Sequence, residues 1–364
     1  MENDQLIPLI NLLNANGIGP QKVNSLVAYF KDPTLIFHQS KSALCQVEGI
    51  DLKSAEKIIA YNNHEFGSLI LDKMDRIDAD IITLWDPNYP LLLKKIYDPP
   101  PVLYYLGNEL NKREDCIAIV GSRTTTAYGR TSAEMITREL VSYGLTTVSG
   151  LARGIDSVVH RETVKSEGRT LAVLGSGIDI IYPAENRKLA DDILEKGTVI
   201  SEFPPGTKPD AGNFPQRNRI ISGLSHATVV VEAGNRSGAI LTALNAVDQN
   251  RDVFAVPGRI SDKQSVGCLR LISHGAVPVT SPAKITELIQ NRLFQPREQQ
   301  QQTLELELTI EERIVIEQLS HDPLHIDNLA SATGLDITRL LSLLLQLELK
   351  NAVVQMSGKQ FVLA

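Results

Sequence analysis

The chain has 364 residues, a formal net charge of -7, 43% hydrophobic and 22% charged residues. That length suggests two or three domains of ordinary folded composition, and the acidity argues against coating nucleic acid indiscriminately while leaving room for a local basic groove. Cys45, Cys116 and Cys268 form no CxxC pair, MENDQLIPLI lacks a signal peptide's basic start, and no apolar stretch approaches the roughly 18 residues of a membrane span, so a cytosolic protein with reduced thiols and no membrane contact is expected.

Residues 1–70 read as a small helical domain. Turns at Gly17-Ile18-Gly19-Pro20 and Glu48-Gly49-Ile50-Asp51 are each followed by an amphipathic run, QKVNSLVAYF and LKSAEKIIAYN. A glycine turn opening a helix, repeated about thirty residues later, resembles paired helix-hairpin-helix (SAM-like) units, whose backbone N–H groups can face a phosphate. The alternative is a packing domain without DNA contact. Residues 71–114 are Pro-rich, with Pro99 to Pro101 blocking helix, and read as a rigid extended connector.

From 115 to 293, short apolar runs alternate with segments of helical period: CIAIVG, TTVSG, TLAVLGSG, TVISE, ATVVVEA and DVFAVPG. The fold class is therefore α/β, an extended Rossmann-like parallel sheet covered on both faces. Several strands end in glycine, which marks their carboxyl edge as the candidate binding edge. Residues 294–307 (FQPREQQQQTLELE) read as a flexible linker. Residues 308–364 read as three helices and a hairpin turning at Ser357-Gly358, a winged helix with four basic against seven acidic residues. That balance favours a protein-contact role over DNA reading.

Catalytic signatures do not assemble. GxxxxGK[ST] is absent, Gly175-Ser176-Gly177 lacks a third glycine, His321 and His325 flank Pro323 without an adjoining glutamate, and His160 near Asp156 reads as a core histidine. Neither a metal nor a cofactor is expected. Anion-binding features gather instead at strand ends: Ser122 and Arg123 after the first strand, Arg153 after the second, and Ser237-Gly238 opening a helix. FPQRNR, placed in the loop before the VVVEA strand, adds Phe214, Arg217, Asn218 and Arg219. Guanidinium groups beside an aromatic surface suit single-stranded nucleic acid. Arg217 and Arg219 are two apart, so one can face the groove while the other pairs with Glu202, Asp210 or Glu232. Phe214 divides evenly between stacking and core packing.

IVGSR, SGLARGID, AVLGSGIDIIYP, SEFPPG, FPQRNRIISGLS, VVVEA, SGAILTA and VFAVPG occur in this order from residue 119 to 258. The run strongly resembles the DNA-processing protein A family (DprA/Smf), as do the flanking helical and winged-helix segments. The resemblance implies a homodimeric, non-catalytic protein that binds single-stranded DNA without marked sequence preference. It also implies protection of incoming DNA during natural transformation, and loading of the RecA recombinase by displacing single-strand-binding protein. The family's DNA contacts carry over onto Arg123, Phe214, Arg217 and Arg219, with support from Ser122, Ser237 and Gly238.

Two departures stand out: Ala184-Glu185 follows Tyr182-Pro183 where many members have a basic residue, and Ala211 stands where many have another. Lys208 and Arg187 are possible substitutes, and weaker, more salt-sensitive binding follows. Self-association is implied at residues 266–279, through Leu269, Leu271, Ile272, Val277 and Val279, apolar residues that ordinary core burial explains equally well. The rival is a nucleotide-binding enzyme similar to the lysine-decarboxylase-like phosphoribohydrolases, although AGNRSGAILTA lacks their double glycine and second carboxylate.

Overall fold

The computed structural model describes residues 3–235, 237–293, 309–319, 324–349, 353–356 and 360–363. They form two compact units, Met1–Asn291 and Arg292–Ala364.

The first unit is built on a nine-stranded sheet. The six apolar runs become β3 (Cys116–Val120), β4 (Thr146–Ser149), β5 (Thr170–Val173), β6 (Thr198–Ser201), β7 (Ala227–Val230) and β8 (Asp252–Ala255). All six are parallel to their neighbours within this set. Strands β3 to β7 are buried along their whole length, as expected of a sheet with both faces covered.

The connector is more than a strap. It supplies β1 (Asp80–Thr83) and β2 (Val102–Gly107), an antiparallel pair added to the edge, with Tyr104 opposite Ser201 of β6. VLYYLG is a β-branched and aromatic run that begins where the prolines stop withholding N–H donors. A short β9 (Val277–Pro278) closes the other edge, giving the order β1-β2-β6-β5-β4-β3-β7-β8-β9.

The N-terminal helices share the core of one sheet face. Leu9, Leu26 and Ile58 belong to the same apolar cluster as Val102, Tyr104, Ala172 and Val199. A polar tie fixes the junction, where Asn24 Nδ2 donates to the Pro99 carbonyl at 2.9 Å, and within the helices Asn11 Oδ1 accepts from the Gly67 N–H at 2.7 Å. The two expected helices run Pro20–Phe30 and Leu52–Ile59. Asp51 caps the second by accepting from the Ser54 N–H at 2.9 Å, so its carboxylate is engaged at its own turn.

The second unit holds helices Ile310–Glu317, Ile326–Thr333 and Ile337–Leu349 with an antiparallel sheet ordered β10 (Leu324–His325), β12 (Gln360–Leu363), β11 (Val353–Met356). Val315, Leu329, Leu340, Leu347 and Phe361 form its core. Arg339 of the third helix is held by Glu311 at 2.6–3.0 Å. The linker 294–307, the turn at Ser357-Gly358 and His321 lie outside the described residues. His325 caps its own helix, its Nδ1 accepting from the Asp327 N–H.

Candidate nucleic-acid interface

Strand order reverses between β3 and β7, and in open α/β sheets a crevice forms outside the strand ends at such a point. A cleft of about 800 Å³ lies there, between the Gly121–Thr124 loop, the helix carrying FPQRNR and the Ser237-Gly238 helix start.

The loop after β3 is pinned from both sides. Ser122 Oγ donates to the Thr124 carbonyl at 2.8 Å and accepts from the Thr124 N–H at 3.1 Å. The Ile155 N–H donates to the Ser122 carbonyl at 3.1 Å. Gly154 makes that approach feasible: its φ is +81°, and a Cβ there would sit 2.2 Å from the Ser122 oxygen. Arg123 is left exposed, its guanidinium carbon 5.3 Å from the centre of the half-buried Phe214 ring. A guanidinium within about 6 Å of a ring face is held there by the ring quadrupole.

FPQRNR is not a loop. It opens the helix Asn213–Gly223. Pro215 falls in the first turn, where helical N–H groups lack partners anyway, and Arg217, Ile220, Ile221 and Leu224 form its buried stripe. Two residues apart on a helix, the arginines diverge. Arg217 runs inward beneath the cleft, 4% exposed, with Nη1 donating to the Gly150 carbonyl at 2.7 Å and to the Val173 carbonyl. Gly150 is needed, because a Cβ would lie 2.3 Å from that nitrogen. Burial pulls the Arg217 pKa down to about 10 against the opposing pull of Asp156, whose carboxyl burial pushes up.

Arg219 leaves on the other side. It donates to Glu202 at 2.5 Å and lies 3.0 Å from Asp98 of the connector. Burial raises the Glu202 carboxyl, with Arg219 countering. The division expected between the arginines therefore holds in part: Arg219 is the one paired with Glu202, while Arg217 lines the cleft but spends its donors on strand-end carbonyls. Glu232 serves elsewhere, accepting from the Thr126 N–H at 3.1 Å and from the Thr126 hydroxyl.

The other candidates scatter around the rim. Asn218 lines the cleft, with Nδ2 3.4 Å from the Gly238 carbonyl. Ser237 caps the Gly238–Asp248 helix by accepting from the Ala239 N–H at 3.3 Å, and Gly238 is exposed. Lys208 is exposed beside the lining residues Pro209 and Ala211. Arg153 is exposed but engaged, with Nε and Nη2 on the two Glu185 oxygens at 2.9 and 3.0 Å. Arg236 lies outside the described residues.

Sequence reasoning missed Tyr182. Its ring is 47% exposed, lines the cleft, and lies 5.8 Å from Phe214 at a 41° tilt. The signal was present in IIYP, where a tyrosine follows two isoleucines just before a proline. Arg123, Phe214 and Tyr182 thus form one row, a cation and two rings.

His160 is fully buried, its Nδ1 2.8 Å from the Thr170 hydroxyl, and burial pushes its pKa down to about 3. The glycines of Gly175-Ser176-Gly177 serve close packing, since a Cβ would meet the Phe214 ring at 2.8 Å or the Pro204 carbonyl at 2.7 Å. Among the described residues no group of three His, Cys, Asp or Glu side chains gathers as a metal site, and no helix is long and apolar enough to cross a membrane. In the segment proposed for self-association, Leu271 and Ile272 pack against the core, Val279 is buried, and Leu269 and Val277 are half-buried.

Fold and cleft together define the class: an extended Rossmann-type domain with its cleft at the switch point, fused to a helical tandem and followed by a winged helix. The chain belongs to the DNA recombination-mediator protein A family, whose model matches residues 80–290. Residues 297–359 match the DprA winged helix domain, and residues 9–61 a SAM-like helix-hairpin-helix tandem. It is 43% identical over 270 residues to Protein Smf of a Synechocystis strain, covering 73% of this chain and 68% of that one. DNA processing protein A of Streptococcus pneumoniae superposes with a TM-score of 0.68 at 33% identity, covering 79% of this chain and 98% of that one. The DNA processing protein A of Helicobacter pylori, whose structure was solved to examine its single-stranded DNA binding mode, superposes with a TM-score of 0.54 at 26% identity, over 59% of this chain and 96% of that one.

Proposed function

We propose that this protein is a single-stranded DNA-binding recombination mediator that protects incoming DNA during natural transformation and loads RecA by displacing single-strand-binding protein. It works in the cytosol as a homodimer, through the residues 266–279 segment, and without catalysis of its own. The strand runs through the switch-point cleft. One observation carries the reading: Arg123, Phe214 and Tyr182 stand in one row along the rim, a phosphate-seeking cation beside two rings. Stacking on rings is tolerant of sequence, because every base has a π-face.

Within this reading the assigned residues take different roles. Arg123 and Lys208 meet phosphates, and Phe214 and Tyr182 meet bases. The loop at Ser122, Asn218 and the Ser237-Gly238 helix start supplies polar and backbone support. Arg217 and Arg219 hold the helix that presents Phe214. Support also comes from the Helicobacter pylori relative, studied for its single-stranded DNA binding mode. The test is oligo-dT binding by the wild type beside Arg123→Ala. A loss shared by oligonucleotides of all compositions supports the groove, and unchanged affinity refutes it.

A further inference from the structure

Next to the main cleft, and sharing Arg123, Ala152, Tyr182 and Phe214 with it, lies a second, smaller hollow. Its lining is Arg123, Gly150, Arg153, Gly175, Tyr182 and Phe214, together with Ala152 and Pro183. It holds about 50 Å³, where one water needs roughly 10–15 Å³, so it has room for a few water-sized groups such as the oxygens of a phosphate. Two guanidinium groups border it, and they differ in state. Arg123 lies over the Phe214 ring, whereas both carboxylate oxygens of Glu185 grip Arg153 in a fork-to-fork pair.

That pair has the geometry an arginine uses for phosphate, and it is accessible, with side-chain exposures of 61% for Arg153 and 55% for Glu185. The turn presenting Glu185 is itself fixed. Asn186, buried, donates through Nδ2 to the Leu151 carbonyl at 2.8 Å and to the Ser157 hydroxyl at 2.9 Å, tying the Ala184–Asn186 turn to the loop that carries Arg153. The carboxylate is therefore placed on the arginine by rigid backbone on both sides.

Resting on the reading of the cleft as a strand-binding groove, we propose that this hollow is a phosphate seat beside Phe214, and that Glu185 occupies its cation as an internal stand-in for phosphate. An incoming strand displaces the carboxylate. Phe214 then separates two neighbouring positions on the strand, one in the main cleft and one over Arg153. Exchanging one anion for another makes this contact nearly silent in affinity, and a solvent-exposed pair yields readily to a competitor. Glu185 thus acts as a built-in restraint on binding.

The test uses the full chain, fluorescently labelled oligo-dT and anisotropy titrations across a series of salt concentrations. Glu185→Gln keeps the shape but weakens the grip on Arg153. It should tighten binding a few-fold at low salt and steepen the dependence of log K on log salt by about 0.7, the increment for one phosphate contact on a single strand. Adding Arg153→Gln to that variant should abolish both changes. Unchanged affinity and slope in Glu185→Gln overturn the proposal. So does a gain that persists in the double variant, because Glu185 would then act through general charge and not through Arg153. The groove reading fails by a separate sign, Arg123→Ala binding as the wild type does, and the phosphate seat falls with it.

Discussion

Arg217→Ala separates a structural arginine from a ligand-binding one. The side chain is 4% exposed and its Nη1 serves two carbonyl oxygens, those of Gly150 and Val173, at the ends of β4 and β5. A hydrogen bond from a charged donor contributes about 1.5–3 kcal/mol, and truncating one partner of a buried charged group typically costs about 3–5 kcal/mol in total. Relief of the burial cost that lowers the Arg217 pKa offsets some of this, so a loss of about 3–4 kcal/mol is expected. Urea unfolding followed by fluorescence measures it cleanly. Trp85, the chain's single tryptophan, packs against two apolar clusters of the first unit and reports that unit alone. Arg123→Ala, at an exposed site, should stay within about 0.5 kcal/mol of the wild type in the same assay. If Arg217→Ala unfolds at the wild-type midpoint while oligo-dT affinity drops, Arg217 is a DNA contact and the role derived from its geometry is wrong.

Phe214→Ala should weaken oligo-dT binding by about 1–3 kcal/mol, the value of one stacked base, and Tyr182→Ala by a similar amount if its ring takes a second base. Equal affinity of both variants and the wild type in anisotropy titrations would remove stacking from the mechanism. Stability of the first unit should fall on acidification below pH 6.5, by about 2 kcal/mol between pH 7.5 and 5, because His160 stays neutral in the fold down to about pH 3 while the unfolded chain takes up its proton. The lowered pKa of His226 adds in the same direction; the raised carboxyls of Asp156 and Glu202 act oppositely, mainly above their ordinary values near pH 4. His160→Gln should flatten the loss, and an unchanged pH profile of urea midpoints would contradict it.

The parallel sheet was legible because its strands are buried on both faces and so carry unbroken apolar runs, as in CIAIV and TLAV. The edge pair β1–β2 was not, because the prolines before Val102 dominate the local pattern while the pairing partner of VLYYLG lies about a hundred residues away in β6. The FPQRNR helix was hidden for a different reason. Its buried stripe includes Arg217, and a periodicity argument counts arginine as exposed; only the carbonyls of Gly150 and Val173, far off in sequence, make its burial tolerable. The same limit applies to Arg153, whose partner Glu185 is 32 residues away. Local composition points to the cleft at the strand ends, and long-range polar pairing decides which of its cations are available.

That availability sets a number. Five cations were assigned to the interface from sequence: Arg123, Arg153, Lys208, Arg217 and Arg219. If all five met phosphates, each adding about 0.7, log K would fall against log salt with a slope near -3.5 per protomer. The structure leaves two exposed without an ion pair among the described residues, Arg123 and Lys208; Arg217 and Arg219 are held inside, and Arg153 exchanges one anion for another. The expected slope is therefore about -1.4, with Arg123→Ala lowering its magnitude to about 0.7. Such a protein must draw more of its affinity from stacking than from phosphate contacts, and that share resists salt, so the greater salt sensitivity expected from the sequence is replaced by a smaller one: fewer phosphate contacts mean a shallower slope. A wild-type slope near -3.5 would mean that the buried arginines or the restrained Arg153 reach the strand after all, which requires the helix Asn213–Gly223 to move when DNA binds.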